Sequence, residues 1–205
     1  MRLTLHTFLT LDGVMQAPGG PSEDPSGGFD HGGWLVPYAD DGMAQAVDGW
    51  FAEADAFLLG RRTYEIFAAH WPRVTDPDDP VAGRLNSLPK YVASRTLRDV
   101  SWEGSTLLSG DVAEQVSELK SRPGRELQVH GSGRLAQTLI ANGLVDGYRL
   151  LTFPVVLGTG RRLFAEGAKP AALRLVDSKT TGSGIDISVY EAAGEPTYGS
   201  FELES

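Results

Sequence analysis

Leu127-Gln128-Val129-His130-Gly131-Ser132-Gly133-Arg134-Leu135 reads as an apolar strand that passes through two glycines straight into a helix. Phe57-Leu58-Leu59-Gly60-Arg61-Arg62-Thr63-Tyr64-Glu65 has the same plan earlier in the chain. A helix N-terminus offers unpaired backbone N–H groups and a partial positive charge, and a glycine there lets an anion reach the backbone. Two such units imply parallel strands with crossover helices, and together they suggest a bound pyrophosphate. Each also has an ordinary reading, a tight turn that needs small residues or arginines solvated on a first helical turn.

Working outward, residues 2 to 9 alternate, with Leu3, Leu5, Thr7 and Leu9 on one face and Thr4, His6 and Phe8 on the other, as in a strand covered on both sides. Residues 12 to 41 are rich in Gly, Pro, Asp and Ser, and the interspersed Phe29, Trp34 and Tyr38 favour a packed lid over a disordered insert. Met43, Ala46, Val47, Trp50, Phe51 and Ala54 share a helical face, with Asp40 or Asp41 as N-cap. A strand over 56–59, a helix from Thr63 to Trp71, a polar loop over 73–89 and strands at 90–93 and 105–108 follow. Asp111 opens a helix that ends near Pro123, and strand 126–130 leads to helix 132–142, closed by Gly143. Strands over 148–156, 173–180 and 185–192 then follow with no helix between them. The expectation is a single domain over 1–205, α/β in class, with a mostly parallel sheet, an antiparallel C-terminal edge and a tail from 193 to 205.

The chain has 205 residues, 41% hydrophobic and 22% charged, enough to bury a proper core. Its formal net charge of -9 argues against nucleic acid or an anionic membrane as partner, so an anionic ligand must be met by local arginines. No cysteine is present, which removes disulfides, thiolate catalysis and zinc-thiolate sites. The first residues lack the long apolar run of a signal peptide, and the expected compartment is the cytoplasm. The four histidines show no ligand spacing, so no metal site is read. Gly131-Ser132-Gly133-Arg134-Leu135-Ala136 fits G-x-G-x-x-A, but no acidic residue follows at the interval a Rossmann unit requires. Ser94-Arg95-Thr96 at a strand end, preceded by Lys90, suits a ribose phosphate, or else is an exposed turn.

These three segments, together with Thr10-Leu11-Asp12-Gly13-Val14-Met15, Leu144-Val145-Asp146 and Pro154-Val155-Val156-Leu157-Gly158-Thr159-Gly160, resemble the dihydrofolate reductase-like superfamily. Within it the chain is most similar to the reductase domain of the bacterial riboflavin-biosynthesis deaminase-reductase and its stand-alone relatives, over about residues 2 to 192. The resemblance implies a three-layer α/β/α fold and NADPH as cofactor. It implies that Gly60, Arg61, Arg62 and Thr63 with Gly131, Ser132, Gly133, Arg134 and Leu135 grip the pyrophosphate, that Ser94 and Arg95 hold the 2'-phosphate, and that Leu11, Asp12 and Gly13 run beside the nicotinamide. The activity it implies is hydride transfer to a small flat heterocycle, a pteridine or an aminopyrimidine, by a homodimer.

The deaminase half of the riboflavin enzyme needs zinc-binding cysteines that this chain lacks, so only the reductase is implied. Gly147 stands where the family carries an acidic residue. For a carboxylate that orients substrate or relays a proton, the candidates are Asp12, Asp40 and Asp41, against local roles in making a turn or capping a helix. Trp34 either closes over a flat ligand or belongs to the core, whereas Trp50 and Phe67 read as core. Arg161 and Arg162 read as solvated or as a subunit contact. The competing class is an NADP(H)-binding or regulatory module without turnover.

Overall fold

The structure, a computed structural model, describes residues 1–202; the end of the 193–205 tail lies outside the described residues. The elements run β1 (Arg2–Thr10), α1 (Asp41–Ala52), β2 (Ala54–Gly60), α2 (Arg61–His70), α3 (Pro80–Ser87), β3 (Lys90–Ala93), β4 (Ser105–Leu108), α4 (Val112–Ser121), β5 (Glu126–His130), α5 (Gly133–Ala141), β6 (Gly147–Phe153), β7 (Leu173–Thr180) and β8 (Asp186–Ala192). Among the described residues the strands form one sheet in the order β4-β3-β2-β5-β1-β6-β8-β7. The first six of these pair in parallel, and β8 and β7 add the antiparallel edge.

Central β1 is covered on both faces, as its alternation requires. Leu3 and Leu5 pack with Val116 and Leu119 of α4 and Leu135 and Leu139 of α5. On the other side α1, α2 and α3 cover the sheet, with Phe51, Tyr64 and Leu85 against Phe57, Leu59 and Val92. The result is three layers, α/β/α. Each buried leucine contributes roughly 1.5–3 kcal/mol of transfer free energy, so this two-sided core is the main source of stability.

Several boundaries differ from the sequence reading. The helix α1 ends at Ala52, so Ala54 opens β2 instead of extending the helical face. Three others concern the loop over 73–89, the end of β6 and the start of α2. The loop over 73–89 contains α3, whose start is set by Asp79, its carboxylate accepting from Ala82 N at 2.8 Å, and by Pro80 in the first turn. Ala82 and Leu85 supply its buried face. Second, β6 stops at Phe153 rather than Val156, because Pro154 has no N–H to donate to the ladder. Third, α2 begins at Arg61, two residues before Thr63, which places both arginines in its first turn. Lys90 also departs from its expected place by the phosphate loop. It is fully buried, with Nζ donating to the carbonyls of Leu85 (2.7 Å) and Leu88 (2.9 Å) and lying 4.5 Å from the Trp102 ring centre. Burial pushes its pKa down to about 8.

Candidate active site

The carboxyl ends of β2 and β5 lie side by side, and the turns that follow them are stitched together. Gly60 N donates to Ser132 Oγ (3.0 Å), Ser132 N donates to Thr63 Oγ1 (3.2 Å), and Ser132 Oγ donates to the His130 carbonyl (2.9 Å). These bonds hold Gly131 and Ser132 in the left-handed region, with φ of 54° and 55°. A serine there carries strain that the three bonds offset. A Cβ on Gly60 would stand 3.5 Å from Ser132, so the two turns are in van der Waals contact.

Neither α2 nor α5 has a side-chain N-cap, whereas α1, α3 and α4 are capped by Asp40, Asp79 and Asp111. The first-turn N–H groups of the two uncapped helices therefore remain available, both facing one cavity of about 1340 Å³. Ser94 and Arg95, at the end of β3, line the same cavity, as does Arg134 in the first turn of α5. Ser94 Oγ closes its turn by accepting from Thr96 N (3.1 Å) and Leu97 N (2.9 Å). Arg95 and Arg134 enter no ion pair among the described residues, so their charge is free for a ligand.

The cavity continues between α1 and the sheet. Val47, Asp48, Trp50 and Phe51 come from α1, with Phe8, His6 and His130 from the strands. The parallel register pairs His6 with His130, which puts their rings 4.7 Å apart, and the His130 ring stacks on Phe51 at 4.5 Å. Hydrogen bonds fix their tautomers. Thr4 Oγ1 donates to Glu126 (3.2 Å) and so accepts from His6 Nε2 (3.0 Å). The Gln128 amide nitrogen donates to Glu126 (2.8 Å) and to the Trp50 carbonyl (2.6 Å), which leaves its oxygen to accept from His130 Nε2 (3.1 Å). Each Nδ1 is then an acceptor, and that of His6 is buried with no partner. Burial holds both imidazoles neutral, His130 near a pKa of about 3 and His6 well below the usual value, with Arg149 adding to the effect. Arg149 itself is paired with Glu126 at 2.6 Å.

The lid meets these two halves through Asp24 and Ser26. Arg62 Nη1 reaches Asp24 at 2.6 Å and Ser26 Oγ at 2.6 Å, and Arg161 pairs with the other Asp24 oxygen and donates to Ser26 Oγ at 2.7 Å. Gln16 holds the segment from behind, donating to the carbonyls of Asp24 and Ser26, both at 2.9 Å, and accepting from Arg161 N at 3.1 Å. Arg161 is thus neither simply solvated nor left for a subunit contact.

Of the residues singled out in the sequence, Gly60 to Thr63, Ser94, Arg95 and Gly131 to Leu135 line the cavity, and Leu11, Asp12 and Gly13 do not. Leu11 is exposed, and Asp12 turns toward the loop after β6, accepting from Thr10 Oγ1 (2.6 Å), Leu157 N, Gly158 N and Arg162. The Thr10 hydroxyl and these amides pull its pKa down to about 2, which suits an anchor and not a proton donor. Asp40 caps α1 and binds Ser183 (2.8 Å), and its carboxyl is held well below the usual range by Met43 N, Thr181 and Ser183. Asp41 is exposed in the first turn of α1, away from the cavity. Trp34 is core, 6% exposed, its indole N–H donating to the Gln16 carbonyl at 2.8 Å. Trp50, read as core, forms part of the cavity wall. The carboxylates that do line the cavity are Glu23 and Asp24 of the lid, Asp111 at the start of α4, and Asp48 of α1, four residues after Ala44 and three before Phe51, at the edge of the α1 apolar stripe.

A sheet whose parallel strands end in one two-part cavity, with an anion-ready turn on one side and an aromatic compartment on the other, has the architecture of the dihydrofolate reductase-like class. Residues 2–187 match the RibD C-terminal domain, and the chain belongs to that family. It is 29% identical over 195 residues to the uncharacterized protein YyaP of Bacillus subtilis, covering 94% of this chain and 96% of YyaP. A Shewanella sp. PV-4 protein whose name points to riboflavin biosynthesis has the same fold (TM-score 0.67, 19% identity, 94% of this chain and 99% of that one). Acinetobacter baumannii RibD shares it too (TM-score 0.63, 14% identity), with 94% of this chain matching 58% of that longer one.

Proposed function

We propose that the protein is an NADPH-dependent reductase acting on a small flat heterocycle. The observation that carries this reading is the pair of uncapped helix N-termini at Gly60–Thr63 and Gly131–Leu135, opening onto one cavity with the unpaired Arg95 and Arg134. Two stitched turns provide backbone donors for a pyrophosphate, and Arg95 with Ser94 a charged partner for a 2'-phosphate. A cavity of about 1340 Å³ exceeds the roughly 300–1,000 Å³ of a site for one small ligand, which suits a cofactor with a second reactant beside it.

NADPH, when bound, supplies the hydride. The chain's own residues orient and exclude water: Trp50, Phe51 and Val47 wall a flat ring, Asp48 accepts hydrogen bonds from it, and the Asp24 contacts close the lid. The NADP(H)-binding module without turnover remains the second reading. It is favoured by the imidazoles, whose N–H groups are committed to Thr4 and Gln128, so that neither has a proton ready to give.

A fluorescence titration with NADPH, followed by cofactor oxidation against dihydrofolate and a panel of aminopyrimidines, tests both. Oxidation with one of these supports the reductase, binding without oxidation supports the module, and absence of NADPH binding refutes both. We further propose a cytoplasmic homodimer that buries the open β7 edge, where Leu175 and Val176 are half-exposed; sedimentation as a monomer at micromolar concentration would remove the dimer.

A further inference from the structure

We infer that Asp24 is a tethered internal competitor for the cofactor's phosphates: in the free protein it occupies Arg62 and Arg161, a guanidinium pair that receives the pyrophosphate once the Asp24 side chain turns away. The inference rests on the NADPH reading of the cavity. It adds to that reading a cation outside the two glycine turns, Arg161, and an anion that opposes cofactor binding.

Both members of the pair line the cavity, on the side of the stitched turns. Arg62 belongs to the first turn of α2, whose backbone N–H groups have no side-chain cap. Arg161 is held at the same level by the stem of the lid: Met15 N donates to its carbonyl at 2.8 Å, and its own N–H donates to Gln16 Oε1 at 3.1 Å. Met15 in turn touches the first turn of α5, since a Cβ on Gly133 would stand 3.2 Å from its sulfur. Arg161 is thereby fixed to the frame that carries both turns.

The anion these two cations hold is one the chain supplies. Asp24 presents one carboxylate oxygen to Arg62 at 2.6 Å and the other to Arg161, and Ser26 Oγ accepts from both, at 2.6 and 2.7 Å. Three oxygens between two guanidiniums reproduce the way a phosphoryl group is bound. The other cavity arginines are not engaged in this way. Arg95 and Arg134 enter no ion pair among the described residues, and Arg61 pairs with Glu65 of its own helix at 3.1 Å. The neighbouring lid carboxylate, Glu23, is turned back on Gly19 N at 2.6 Å. A negative charge fixed at Asp24 both takes up the two cations and repels a second anion. It can give way without opening the lid, because Gln16 donates to the backbone carbonyls of Asp24 and Ser26, both at 2.9 Å, and to neither side chain. Gln16 then holds the segment that Asp24 helps to hold in the free protein, and keeps Asp24 near enough to return when the cofactor leaves. A ligand that binds only the open arrangement has its affinity reduced by the fraction of molecules in it.

The experiment titrates NADPH by fluorescence into the wild-type chain, Asp24→Asn and Glu23→Gln, each first checked for cooperative unfolding in urea. Asp24→Asn is expected to bind NADPH at least about fivefold more tightly than wild type, which corresponds to an open fraction of roughly one fifth or less. Glu23→Gln removes an equal charge at the same cavity without touching either guanidinium, and is expected to change the affinity less than about twofold. Adding Arg161→Met to Asp24→Asn is expected to cancel the gain, because the cation that Asp24 released is then missing. Should Asp24→Asn fold poorly, Asp24→Ser takes its place with the same expectation. Absence of NADPH binding by wild type and Asp24→Asn alike refutes the cofactor reading itself. Binding by wild type that is equalled or exceeded in strength over Asp24→Asn overturns this inference and leaves that reading standing. An equal gain from Glu23→Gln overturns it as well, by reducing the effect to net charge, and so does a gain that survives Arg161→Met.

Discussion

Arg95 offers a direct measure of cofactor choice. It sits exposed past the end of β3, lines the cavity and enters no ion pair among the described residues. The turn it belongs to is closed by Ser94 Oγ, without help from the guanidinium. Arg95→Ala therefore leaves no buried group unsatisfied, and stability is expected to change by no more than about 0.5 kcal/mol. A hydrogen bond to a charged group contributes roughly 1.5–3 kcal/mol, and solvent exposure puts this one at the lower end. About 1.5–2 kcal/mol corresponds to roughly a 10- to 30-fold loss of NADPH affinity. NADH lacks the 2'-phosphate, so its affinity is expected to change less than about twofold, and the wild-type preference should shrink in 1 M salt, where the Debye length falls to about 3 Å. Fluorescence titrations of both cofactors with both proteins provide the comparison. Equal losses for NADPH and NADH would refute the assignment of Arg95 to the 2'-phosphate.

Gly160→Ala would put a Cβ 2.7 Å from Val14 Cγ1 and 2.8 Å from the Phe29 ring at a φ of 113°, and is expected to cost about 3 kcal/mol in urea unfolding. For Asp12, the folded pKa of about 2 lies below the ordinary aspartate value of 3.8, so its stabilisation is present above about pH 4 and lost as pH falls toward 2. Asp12→Asn should thus cost about 1–2 kcal/mol at pH 7 and almost nothing at pH 2, in melts at matched ionic strength, while leaving NADPH affinity unchanged. His130 takes up its proton near pH 3 when folded and near 6.5 when unfolded, so its contribution is present above pH 6.5 and lost as pH falls toward 3. His130→Gln should flatten the decline of stability across that window, and an unchanged slope would contradict the burial assigned to the ring.

What the sequence discloses depends on whether a feature is local. The turns at Gly60 and Gly131 were legible because backbone approach to an anion demands small residues at a strand end, and that demand is written in consecutive letters. The alternation in β1 likewise announces a strand covered on both faces. The helix α3 was legible in principle, from Asp79-Pro80 and the apolar pair Ala82 and Leu85, but a run of Asp and Pro before it reads as loop. The aromatic compartment was not legible at all. Asp48, Trp50, His6 and His130 come from three elements, and only the β1–β5 register and the position of α1 over the sheet bring them together. Trp34 shows the same dependence in reverse, since an aromatic in a glycine-rich loop serves lid or core equally until the Gln16 carbonyl claims its N–H.

The motifs behind the family resemblance divide into residues that meet the cavity and residues that hold the frame beneath it, and the division bears on whether this chain turns over substrate. At the cavity end of the β1–β6 pair, Asp12 ties the turn after β1 to Leu157, Gly158 and Arg162. At the far end, Asp146 accepts from Leu3 N and from Lys120 Nζ, both at 2.8 Å, fixing β1 and β6 to α4. The two carboxylates set the β1–β6 register at its two ends, and with it the level at which His6 and Phe8 face the cavity. Gly147, the departure from the family pattern, opens β6 at the Asp146 end, opposite the cavity, and a Cβ there would stand 3.4 Å from Arg2 Nη2 and 3.5 Å from Thr4. An acidic side chain at that position would lie beside Arg2 and Arg2's existing partner Glu191, far along the strand from any ligand bound at the carboxyl ends. The loss of that side chain is therefore a change in the frame, and it weighs nothing in favour of a module that has lost its chemistry.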